Sequence, residues 1–198
     1  MEIAQDILVK NLETYKNGLI KLIGEKVMDK LIQSVGGDEV LMNATYSNLA
    51  DSGSAFNGSF IKNVIRMTRI ANDINNILPE AYRAVPQSIY KVCMLSQISK
   101  TLLFKENDNN WEIANRGILY KYSKLDGALR VGERSVLLCM NAGVKFNEFE
   151  FEAMKILDKT TEDDSFTKYF SSPLSTVVRQ AAEIITLTNR LSVNGENQ

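Results

Sequence analysis

The chemistry open to this chain is bounded first by a residue it lacks. Among its 198 residues there is no histidine. Imidazole is the commonest metal ligand and the usual general base near neutral pH. Ser-His and Cys-His nucleophile pairs are therefore excluded, as are zinc and iron sites with imidazole ligands. A magnesium site built from carboxylates alone stays open. The two cysteines, Cys93 in KVCML and Cys139 in LLCMN, sit in apolar contexts and read as reduced core thiols of a cytoplasmic protein. Trp111, Tyr120 and Tyr122 have two readings, stacking on a nucleic-acid base or packing of a local hairpin.

Composition narrows the partners. The formal net charge is -1, so no global field draws the chain to nucleic acid or to an anionic membrane. With 44% apolar and 24% charged residues it belongs with folded globular proteins. The start, MEIAQDILVKNLETYK, mixes acids, bases and apolar residues, so no secretory leader is expected. No run approaches the roughly 18 apolar residues of a membrane span.

The elements that would hold any site are helices. Leu8, Leu12, Tyr15, Leu19, Leu22, Ile23, Val27 and Leu31 recur at three- and four-residue spacing. They predict helix over 1–34, with Gly18 and Gly24 as bending or splitting points and Gly36-Gly37 as its end. Residues 1–36 read as an N-terminal arm or as the first helices of the core. Residues 45–59, rich in small polar side chains, read as a loop. Helix follows over about 59–77, with Phe60, Val64, Met67, Ala71 and Ile74 on one face. Pro86 opens the next, which is expected to run to about Leu103.

Residues 104–122 carry polar turn residues between aromatic and β-branched ones and predict a small hairpin. A helix from Val131 stops at Gly143. Asn147 with Glu150 opens another, to about Lys159, as in a capping box. TEDDS, residues 161–165, reads as a turn. Ser172-Pro173 starts the last helix, whose expected buried stripe is Leu174, Val177, Val178, Ala181, Ile184, Ile185 and Leu191. The end, 193–198, is polar. The sum is a mainly α protein of about seven helices with one small β-hairpin near 104–122.

Read in order, residues 45–190 resemble small bacterial and bacteriophage HD-domain phosphohydrolases, over about three-quarters of the chain. The segment ALRVGERSV, 128–136, resembles a family segment that reads histidine, then Gly-Glu-Lys-Ser-Val. The family segment follows a hairpin carrying a Trp and a Tyr-x-Tyr, the place held here by Trp111 and Tyr120-Lys121-Tyr122. SIYKVCMLSQISK, 88–100, resembles the family segment ending Leu-His-Asp-Ile-x-Lys. The resemblance implies an HD-like helical domain over 37–192.

Family chemistry uses histidines and aspartates to hold divalent ions that polarise a phosphoryl oxygen and generate hydroxide. The resemblance places its ligand positions at Asn63 (or Lys62 beside it), Ser96, Gln97, Val131, Leu157 and Glu183. Asn, Ser and Gln are neutral donors much weaker for a divalent ion than imidazole or carboxylate, and Val and Leu cannot ligate. Glu183 alone keeps a carboxylate. The implied state is a pseudoenzyme with no metal and no cofactor.

Gly132, Glu133, Arg134 and Ser135 persist from the family segment. Together with Lys100 they could form a remnant pocket in which Arg134 or Lys100 holds a phosphate. The alternative, which the residue types favour, is that Gly132 permits a tight turn, Glu133 caps a helix start and Arg134 is solvated or pairs with it.

Three functions follow. The first is a structural or interaction subunit of a larger assembly, homo-oligomeric, contacting other proteins; the family's bacteriophage members make a ring or connector subunit of a virion the concrete version. The second is a regulator that binds a nucleotide or phosphorylated ligand without cleaving it. The third is a residual metal-dependent phosphohydrolase using Glu183, Glu133 and Asp158.

Overall fold

The computed structural model describes residues 3–157 and 172–195. The expected turn at 161–165, the candidate acid Asp158, the expected helix end at Lys159 and the last residues of the polar end lie outside them.

The predicted first helix is two. α1 (Gln5–Ile23) and α2 (Glu25–Ser34) meet at Gly24, whose φ of 80° lies in the left-handed region that favours glycine. α3 (Gly37–Asn43) follows. None of this is an arm. Tyr15 and Leu19 of α1 and Leu31 of α2 are fully buried in the same apolar core as Phe60, Ile89 and Val178. α1 lies against α5 beside Gly18, where a Cβ would come within 2.8 Å of Cε at the flexible tip of Met94. Tyr15 closes the contact by donating to the Met94 carbonyl at 2.7 Å.

The polar loop, with one short 3₁₀ turn at Ala50–Ser52, leads into α4 (Ser59–Ile77). Pro86 opens α5 (Pro86–Leu95), because its missing N–H falls in the first turn. The chain then turns through 96–99 into the single-turn α6 (Lys100–Leu103), so one expected helix becomes two. The expected hairpin is a two-stranded antiparallel ribbon, β1 (Phe104–Glu106) with β2 (Tyr120–Tyr122), in register Phe104 opposite Tyr122. Its connection is not a tight turn but a helix, α7 (Asn110–Arg116), capped by the Asn109 side chain.

α8 (Val131–Ala142) ends at Gly143, which adopts a left-handed φ of 104°. α9 (Glu148–Ile156) begins with the predicted reciprocal cap: Glu150 N–H donates to Asn147 Oδ1 at 2.9 Å and Asn147 N–H to Glu150 Oε2 at 3.1 Å. α10 (Pro173–Gly195) is the last helix and packs on α4, α9 and α5. Ile184 and Leu191 do not join its buried stripe. They are 38% and 57% exposed, and the inward positions are Leu174, Val177, Val178, Ala181 and Ile185. Among the described residues no helix is long and apolar enough to cross a membrane.

Candidate functional site

Asn63, the first position singled out by the resemblance, lies on the inner face of α4 and is buried. Its amide joins a closed polar knot. Asn189 of α10 donates from Nδ2 to Ser54 Oγ at 2.7 Å and to Asn63 Oδ1 at 2.9 Å. Asn63 Nδ2 donates to the same Ser54 Oγ at 3.3 Å. Arg66, one turn along α4, donates from Nη1 to Asn189 Oδ1 at 3.0 Å.

The knot continues through Ser59, whose hydroxyl donates to the Ser54 carbonyl at 2.6 Å and accepts the Tyr46 N–H at 2.9 Å. The loop, α4 and α10 are thus sewn together by amides and hydroxyls. Neutral groups can be buried this way because each finds its partner inside. Gly53 makes the close approach possible: it has φ 63°, and a Cβ there would sit 2.2 Å from the Asn189 carbonyl oxygen.

Ser96 and Gln97 end α5 and are buried too. Gln97 donates to Met67 Sδ at 3.8 Å and hydrogen-bonds Tyr46, whose phenol burial pushes up to about 12. Ser96 Oγ has no hydrogen-bond partner among the described residues. Lys100 stands with its ammonium 3.6 Å from the centre of the Tyr46 ring. Asn63, Gln97 and Lys100 therefore gather around the loop residues Ser54 and Tyr46.

Val131 meets the same turn from α8. Its carbonyl accepts from Ser99 Oγ at 2.8 Å, and Ser135 Oγ accepts the Ser99 N–H at 3.1 Å. The retained Gly-Glu-Arg-Ser segment acts locally. Glu133 Oε2 accepts the Arg130 N–H at 3.1 Å across the start of α8, and Glu133 Oε1 lies 3.9 Å from Lys155. Arg134 donates to the carbonyls of Asp126 and Gly127 at 3.1 and 2.9 Å. Its guanidinium closes the loop before α8.

Two positions fall away from this group. Leu157 packs its side chain against the apolar core. Glu183 is on the outside of α10, with a 62% exposed side chain paired to Arg179 at 3.0 Å. The α10 residue that does reach Asn63 is Asn189, six positions further on. Six residues rotate a helix by about 240°, which separates the two faces. Asn189 was legible in principle: it continues the buried stripe 178, 181, 185 as a polar residue at an apolar position.

The donor set does not suit a divalent ion. Asn63 and Gln97 offer amides already bonded inside the protein, Val131 and Leu157 offer no side-chain donor, and Glu183 is remote. Among the described residues no three His, Cys, Asp or Glu side chains are placed to hold a metal.

A second polar cluster joins α5 to α9. Lys91 and Glu150 form an ion pair of 2.7 Å, with side chains only 15% and 8% exposed. Glu150 also accepts the Ser88 hydroxyl at 2.9 Å and the Asn147 N–H. Lys91 donates to the Lys145 carbonyl and lies 5.1 Å from the Phe146 ring centre. The pair floors a cleft of about 450 Å³ bordered by Gln87 and Asn147. Another cleft, of about 430 Å³, runs between α3 and the ribbon, past Thr45, Asn57 and Tyr120. The Tyr120 hydroxyl donates to Asn57 Oδ1 at 2.8 Å across it.

Both thiols are buried, and burial pushes them up, Cys139 to about 12. Neither is an available nucleophile. No protein-family model, no curated protein and no solved structure matches this chain.

Proposed function

We propose that this chain is a non-catalytic, HD-like helical scaffold, a structural or interaction subunit that works through contacts with other proteins. One observation carries the reading. The side chain at the first position where an HD hydrolase would hold metal, Asn63, is committed to a knot of neutral internal hydrogen bonds with Ser54 and Asn189. Groups so engaged hold helices together and are withheld from a ligand.

The remnant-pocket cations support the same reading, since Arg134 closes its own loop and Lys100 lies over Tyr46. The surface adds to it. The α4–α5 connection is braced by Asn75, which exchanges two hydrogen bonds with the Ala84 backbone, and by Arg83, which donates to the Leu78 and Asn76 carbonyls. Ile77 at the end of α4, 82% exposed, and Tyr82 and Val85 of the braced connection present apolar surface of the kind partner proteins cover. The bacteriophage members among the resembled hydrolases make a virion ring or connector subunit the concrete version.

The test pairs two measurements on the full chain. A panel of nucleotides and inorganic phosphate is expected to leave the melting temperature unchanged. Phosphomonoester and nucleotide substrates with manganese or magnesium are expected to turn over no faster than buffer. A melting shift that Arg134→Ala abolishes would replace the scaffold reading with a ligand-binding regulator. Metal-dependent turnover lost in Glu183→Ala would replace it with a hydrolase.

A further inference from the structure

α10 carries a second apolar stripe on its outer face. Ile184, Leu187 and Leu191 are 38%, 58% and 57% exposed, and their spacing of three and four residues is the seam of a helix that pairs with another helix. The inner stripe, through Ala181, Ile185 and Asn189, already faces the core and the knot. The outer one is turned away from both by roughly a third of a revolution.

Charge on one flank of this stripe is complementary to itself. Glu183 and Arg190 are seven residues apart, two turns to within about 20°, so they lie on the same side of the seam. Both are exposed; Glu183 is paired to Arg179 one turn back at 3.0 Å through one oxygen, in a bridge open to solvent, and Arg190 makes no ion pair among the described residues. In a parallel two-fold pair this flank faces the partner's opposite flank, so the two residues do not meet. In an antiparallel pair related by a two-fold axis near residue 187, Glu183 of one chain faces the partner subunit's Arg190, and the reverse pair forms on the other side of the axis. Closed two-fold pairing uses the same patch on both copies, which this arrangement satisfies.

We propose that the outer face of α10 is a homodimer seam, in which a second copy of this chain pairs antiparallel about an axis near Leu187. This deepens the scaffold reading and rests on it for its context. Its failure is separable, because a monomer would overturn the seam while leaving the nucleotide and metal measurements as they stand.

The test is the mass and cross-linking pattern of the full chain. Light scattering after size exclusion is expected to give twice the 22.2 kDa of one chain. Leu187→Glu, at an exposed position, is expected to weaken the dimer about tenfold or more with an unchanged far-ultraviolet circular-dichroism spectrum. Arg190→Glu sets like charges opposite one another and should also weaken it. The double variant Glu183→Arg/Arg190→Glu restores opposite charges and should recover the dimer.

With the native cysteines buried, Leu187→Cys should cross-link to a disulfide dimer under mild oxidation, and Thr186→Cys, pointing off the seam, should not. A single-chain mass at the highest soluble concentration overturns the seam. So does a dimer indifferent to Leu187→Glu and to the charge reversals, or cross-linking at 186 in preference to 187.

Discussion

The two buried polar clusters, one joining the loop, α4 and α10 and the other joining α5 and α9, solve the same problem by different means. The knot of Ser54, Asn63 and Asn189 buries only neutral groups, with the Arg66 guanidinium reaching in from the side. The clamp of Lys91 and Glu150 buries a full charge pair, satisfied by Ser88, the Asn147 N–H and the Lys145 carbonyl. Both join segments distant in sequence: the knot ties 54 and 63 to 189, the clamp ties 88 and 91 to 150. What separates them is the consequence of removing one member. A lost amide leaves unpaired dipoles, whereas a lost carboxylate leaves an ammonium in poor solvent. The clamp is the more polarised of the two.

The largest expected effect is therefore at the clamp. Glu150→Ala strips Lys91 of its counter-ion and removes the carboxylate half of the reciprocal cap of α9, and should destabilise the fold by about 3–5 kcal/mol. The double variant Lys91→Met/Glu150→Leu should recover most of that loss, because no charge is left buried. Denaturant unfolding of the single and double variants measures both. Equal losses in the two would show that hydrogen bonding, and not the buried charge, dominates the clamp.

At the knot the expected loss is smaller. Asn189→Ala leaves Ser54 Oγ and Asn63 Oδ1 each short of a donor and should cost about 2–3 kcal/mol. Because Asn63 and Asn189 share a hydrogen bond, Asn63→Ala with Asn189→Ala should cost less than the sum of the single losses. A double-mutant cycle by denaturant unfolding gives that coupling, and strict additivity would mean that the knot is not a cooperative unit.

Alkaline pH gives the finest comparison, through one reporter near each cluster. Cys139 feels Lys91 of the clamp, and Tyr46 bonds Gln97 and Ser59 beside the knot. Burial raises the thiol from its usual 9.0 and the phenol from 10.0, each to about 12. The folded state therefore keeps protons that the unfolded chain releases. The stability each group contributes is whole below its unfolded value and is lost as pH rises through the window to the folded value, by up to about 1.4 kcal/mol per pH unit. Cys139→Ala should flatten the stability curve from pH 9 upward, and Tyr46→Phe only from pH 10 upward. Melting temperatures of the three proteins over pH 8 to 11 would show the one-unit offset, and curves that coincide would contradict it.

Much of the helical framework was legible because its signals are local. Pro86, Gly143 and the Asn147–Glu150 cap mark helix ends through φ preferences and hydrogen bonds that span a few residues. The periodicity of 59–77 found α4 to the residue. The ribbon was anticipated from its residue types, but the helix in its connection was not, since Asn109 reads equally as a turn residue or a cap. On α10 periodicity misled. Ile184, Ile185 and Leu191 are alike in type, and one position of offset, about 100° of rotation, separates the buried Ile185 from the exposed Ile184.

The sequence by itself therefore determined that the protein is mainly α, where most helices begin and stop, and that imidazole chemistry is closed to it. Those are matters of residue type and of contacts a few residues long. Only the tertiary structure decided that Asn189, and not Glu183, meets Asn63 across 126 positions, that Arg134 and Lys100 are engaged at home, and that α1 belongs to the core. Each of those depends on how helices rotate and pack against one another. That is set by the fit of the whole interior, and no short segment encodes it alone.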